Sequence, residues 1–174
     1  VFGICYPDLY EIGMSNGGVK IIYESLNTLD NISCERVFCP APDMTDELYN
    51  RKMKLFTLEN RIPLSEIDML GFNYSHELLA TNILHVLKTG GIPLLSAERG
   101  EDHPLVMIGG ECTSNPGPVA PFADIIFISE GDDSVRKIVS DVFSMKKQGK
   151  KRGEILEILQ TFEGCFIPSL ARKY

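Results

Sequence analysis

Five short segments of this chain are largely apolar: residues 1–6 (VFGICY), 34–39 (CERVFC), 68–73 (DMLGFN), 105–108 (LVMI) and 124–129 (DIIFIS). Each stops at a Pro, a Gly or a polar turn, and each predicts a strand covered on both faces. Between them the apolar positions recur at helical spacing. Val19, Ile22, Leu26 and Leu29 follow Ser15-Asn16-Gly17-Gly18, where Ser15 or Asn16 is a natural N-cap. Residues 43–53 predict a second helix with acids in its first turn, and residues 77–88 a third, ended by Gly90-Gly91. Val135, Ile138, Val139, Val142 and Phe143 predict a helix over 134–145, and residues 154–162 a last one. Residues 55–58 and 165–167 are short apolar pieces, and residues 146–153 (KKQGKKRG) a basic joint. The alternation predicts an α/β domain with a doubly wound, mostly parallel five-stranded sheet, flavodoxin-like or Rossmann-like.

The length of 174 residues suits one domain with a full core, here placed at residues 1–169. Acids outnumber bases by 24 to 17, which argues against a nonspecific nucleic-acid surface, since that needs excess Lys and Arg. No apolar run approaches the roughly 18 residues of a membrane span. The five cysteines are odd in number and widely spaced, with no CxxC. That pattern speaks against a disulfide framework or a local zinc or iron–sulfur site, and points to a reducing, cytoplasmic compartment. The first residue is Val1 rather than Met, so a piece of a longer chain is expected.

Ligands of open parallel sheets bind beyond the carboxyl ends of the strands. The segments expected there are rich in glycine and small polar residues. Pro7, Asp8, Tyr10, Glu11, Gly13, Met14, Ser15 and Asn16 follow the first strand, and Asn73, Ser75 and His76 the third. Gly109, Gly110, Glu111 and Asn115 follow the fourth, and Ser129, Glu130 and Gly131 the fifth. The opposite turns are ordinary and acidic. Glycine lets a ligand approach the backbone closely, and helix N-termini aim N–H groups at the same edge. The main pocket is therefore expected among residues 7–16, 73–76, 109–115 and 129–132. Neither GxGxxG nor GxxxxGK[ST] is present. No catalytic residue and no metal site is assigned. Cys112 lacks a nearby base, and Asp132-Asp133 fits helix capping.

Residues 6–16 (YPDLYEIGMSN) resemble the YPDxYExGMSN stretch of a group of radical S-adenosylmethionine (SAM) proteins with a cobalamin-binding-like N-terminal domain. Residues 36–44 (RVFCPAPDM), 68–72 (DMLGF), 96–100 (SAERG) and 109–116 (GGECTSNP) resemble later blocks of the same group. The resemblance implies an accessory domain that precedes a radical SAM barrel, its partner, with residues 170–174 beginning the linker. SAM and a 4Fe–4S cluster would belong to that barrel, because no CxxxCxxC occurs here. Cobalamin is the ligand the resemblance implies for this domain. Related domains carry DxHxxG after the first strand, whose His ligates cobalt. Here Asp8 and Gly13 stand in register and Tyr10 replaces the His, so cobalamin would be bound without a protein imidazole. The alternatives are a docking module that has lost cobalamin and an independent small-molecule or nucleotide binder.

Overall fold

The computed structural model describes residues 1–129 and 132–171. Its core is one six-stranded sheet in the order β2-β1-β3-β4-β5-β6. Strands β1 (Phe2–Tyr6), β2 (Cys34–Phe38), β3 (Met69–Asn73), β4 (Leu105–Gly109) and β5 (Ile125–Phe127) are parallel. The sixth, β6 (Cys165–Phe166), is in sequence no more than a short apolar piece; it pairs antiparallel with β5. Two residues are too few to show a period, and what makes them a strand is the open edge of β5. The parallel part has the flavodoxin-like order, so its switch point lies between β1 and β3.

The helices cover both faces. On one side α2 (Gly17–Leu26), α5 (Asp132–Lys147) and α6 (Arg152–Leu159) pack over Phe2, Ile4, Met69, Met107 and Ile125. On the other, α3 (Pro42–Asn50) and α4 (Ala80–Thr89) pack over Cys5, Val37, Leu70, Val106 and Ile108. A one-turn helix, α1 (Tyr10–Gly13), links β1 to α2. Asn16 is the cap of α2, its Oδ1 accepting from the Val19 N–H at 2.9 Å. The helix expected over 77–88 is split: Glu77–Leu79 is a 3₁₀ turn capped by His76, and α4 follows it.

Two charged anchors fix segments outside the sheet. The Arg99 side chain is fully buried and donates to Asp124 at 3.0 Å and to the carbonyls of Pro93, Leu94 and Phe122. Asp124 also takes Arg152 at 2.6 Å and the Val106 N–H at 2.7 Å. The 96–100 block is thus a structural clamp joining the start of β4 and β5 to α6. Glu35, likewise buried, binds the Asn60 backbone and side-chain amides and fastens an arm, residues 55–63, to β2.

Candidate functional site

The described residues that the sequence marks as candidates follow the strand ends of the carboxyl edge, and seven of them line three separate concavities there. Glu130 and Gly131 lie outside the described residues. At the switch point a crevice of about 130 Å³ is lined by Asn73, Gly109, Gly110 and Ser129, with Ile22 of α2 and Val135 of α5 on its flanks. A mostly apolar cleft of about 300 Å³ holds Tyr10 and Glu11, with Phe38, Met44, Phe56 and Leu58. Asp8 lies in a third, of about 460 Å³, with Asn82, Thr45 and His85 between α3 and α4.

A concavity of about 830 Å³, larger than any of these, lies at the opposite edge beside Leu29, Asp30, Asn31, Asp68 and Lys146. The expectation of a main pocket on the carboxyl edge therefore fails by volume. The reason is local. The βα turns bond inward and close over the strand ends, whereas α5 overhangs the opposite edge. There Lys146 reaches Asp68 at 3.0 Å.

Much of the first loop is internally bonded. Gly13 is buried against Phe38 and Tyr6, where an added Cβ would lie 2.6 Å from the Phe38 ring. Ser15 donates to the Ile12 carbonyl, Met14 Sδ accepts from Arg36, and the Pro7 carbonyl accepts from Asn82. Tyr10 turns its ring edge-on to Phe38, centroids 5.3 Å apart, on the side of β2. It stands in a different concavity from Asn73 and Gly109. Asn73 reaches the first loop, its Nδ2 donating to Asn16 Oδ1 at 3.4 Å.

The remaining loops sort in the same way. His76 is exposed, and its Nδ1 accepts the Leu78 N–H at 3.3 Å. That bond occupies the Nδ1 lone pair. Gly110 has φ +114, and a Cβ there would lie 2.8 Å from the Tyr74 backbone. At Gly109 the nearest atom to an added Cβ is Phe127 at 3.8 Å, so its bareness keeps the crevice open. Thr113, not marked by the sequence, is buried and donates toward the carbonyls of Gly110 and Phe127, fixing the loop after β4. Ser75 is half-buried, and Glu111 and Asn115 are exposed. Burial, with the carboxylates of Glu77 and Glu111, pushes the Cys112 thiol up. No group of three or more metal-ligating side chains forms among the described residues.

No helix among the described residues is long and apolar enough to cross a membrane. Comparison with curated proteins and with solved structures finds no match. A family model does match, over residues 18–168. That span takes in the 36–44, 68–72, 96–100 and 109–116 blocks and leaves out residues 6–16. With most of the chain covered and the expected sheet present, this protein belongs to the family of N-terminal domains of radical SAM proteins.

Proposed function

We propose that this is the accessory domain of a radical SAM enzyme and that its carboxyl edge docks on the radical SAM domain of the same polypeptide. One observation carries the reading. Leu9, Tyr10, Ile12, Met44, Leu78 and Ile128 are large apolar side chains left exposed, and all six follow strand ends on that edge. They are six of the eleven exposed large apolar side chains among the described residues, and Leu9, Tyr10 and Met44 line one cleft, a concentration beyond the single scattered residues of an ordinary surface. SAM and the 4Fe–4S cluster would be held by the partner domain, because this chain carries no CxxxCxxC. The test is Leu78→Lys with Ile128→Lys in the full polypeptide. The domains should come apart, seen as faster proteolysis of the joint and a larger radius of gyration. Unchanged compactness would overturn the reading.

A second reading, a cobalamin-binding domain, has the switch-point crevice in its favour, with the bare Gly109 and Asn73 beneath it. The residues present do not fit a histidine-ligated corrin. Tyr10 faces Phe38, and His76 Nδ1 is engaged in its cap. The crevice of 130 Å³ also falls short of the roughly 300–1,000 Å³ of ordinary ligand pockets, so α2 and α5 would have to part. Incubation with hydroxocobalamin, gel filtration and paramagnetic resonance of the reduced Co(II) form decides it. Retained corrin without nitrogen splitting supports binding through the edge alone. Splitting that disappears in His76→Ala would show an axial histidine and refute the His76 assignment. No retained corrin would leave the docking module.

A further inference from the structure

We infer that the open end of β2 is a strand-type docking site that receives an extended stretch of the radical SAM domain's polypeptide. This rests on the docking reading above and specifies one of its contacts. β2 is an edge strand and, among the described residues, has β1 as its one partner strand. Its outward backbone groups belong to Cys34, Arg36 and Phe38, since alternate residues of a strand face the neighbouring strand. The first two are closed. The Asn27 side chain donates to the Cys34 carbonyl and accepts its N–H, both at 3.0 Å. The Arg36 N–H goes to the Glu59 carboxylate at 2.7 Å, and its carbonyl takes the Leu58 N–H at 2.9 Å. The arm then pairs with itself, Phe56 against Pro63, and leaves the strand.

The third set is open. By the same alternation the N–H and C=O of Phe38 point away from β1, and among the described residues neither bonds to a group outside the sheet. They sit at the apolar cleft between Leu9, Tyr10, Met44, Phe56 and Leu58. A donor and an acceptor from one extended residue match the spacing of another strand, and the flanking cleft takes its side chains. A purely apolar small molecule would leave both groups unmet. An anion would find Arg36 already held by Glu59 at 2.7 Å. Leu9, Tyr10 and Met44 also belong to the exposed carboxyl-edge face. That continuity assigns the cleft to the same partner.

The experiment is amide hydrogen exchange on the full polypeptide, wild type against Met44→Lys with Leu58→Lys. Both side chains are partly exposed, so the variant keeps its fold, which unchanged β1 and β3 amides would verify. The Phe38 amide should exchange about tenfold or more slowly in the wild type than in the variant. The loops after β3 and β5 should stay protected in both. If Phe38 exchanges equally fast in the two while those loops are protected, the strand contact is refuted and the docking reading survives. If the loops too exchange as fast as unstructured peptide, both fall.

Discussion

Gly109 and Gly110 are neighbours with opposite tolerances. At Gly110 a side chain would meet the Tyr74 backbone at 2.8 Å from a φ of +114. Such backbone strain alone costs about 1–3 kcal/mol, and the overlap adds to it. Gly110→Ala should therefore lower the urea unfolding free energy by at least about 2 kcal/mol. Gly109→Ala should change it by less than about 0.5 kcal/mol, as a surface substitution does. Equal losses in the two would mean that the crevice is not open at Gly109. Arg99 is the other residue whose role is decided by burial. Arg99→Met leaves three carbonyls without their donor and Asp124 with Arg152 as its one remaining cation, beside the Val106 N–H. The expected loss is about 3–5 kcal/mol, the range for breaking one partner out of a buried pair. A loss under about 1 kcal/mol would show that Arg152 suffices. A charged residue among Ser, Ala and Gly looks like a surface turn in sequence; only the tertiary fold shows that its guanidinium meets three carbonyls and a carboxylate.

Among the elements, β2 depends on the arm that covers its middle. Burial raises the Glu35 pKa, but hydrogen bonds from Thr57, Asn60 and Ser33 outweigh it and hold the carboxyl below the usual range. In the unfolded chain Glu titrates near 4.3. The stability that Glu35 provides is thus complete above that value and is lost as pH falls through the lower folded value. Acid should release the arm: exchange at residues 57–62 should accelerate as pH falls below about 4, after correction for the intrinsic rate. Glu35→Gln should flatten the acid limb of the stability profile, and an unchanged limb would place the linkage elsewhere. The strands themselves are legible in the amino acids, since VFGICY, DMLGFN and LVMI admit only a buried strand between turns. The arm is not. Leu55 to Leu58 looks like any apolar fragment, and only in the fold does the buried Glu35 draw the arm in.

For the whole molecule, the doubly wound order follows from the strand–helix alternation, and it places the candidate loops on one edge as expected. Their division among three concavities does not follow from it. That depends on which way Tyr10 and Asp8 turn, and the contacts of Tyr10 with Phe38 and of Asn82 with Pro7 settle only after the sheet is assembled. The sixth strand is likewise a property of the whole. It covers β5, whose Ile125–Phe127 would otherwise be an apolar edge able to pair with another copy. Removing residues 163–174 should therefore produce concentration-dependent self-association in sedimentation velocity. A truncated chain that stays monomeric at high concentration would show that β6 is dispensable as a guard.

The late position of that guard sets a timetable for synthesis. β5 is complete by Phe127, yet its outer neighbour begins at Cys165. Arg152, which completes the clamp on Asp124, also follows β5 by a full helix. At about 5–20 residues per second the ribosome leaves β5 uncovered for roughly 2–8 seconds. During that interval the nascent chain carries a sticky edge that the finished domain hides. Chaperone demand for this protein should therefore peak after β5 emerges and fall once residues 165–166 clear the exit tunnel.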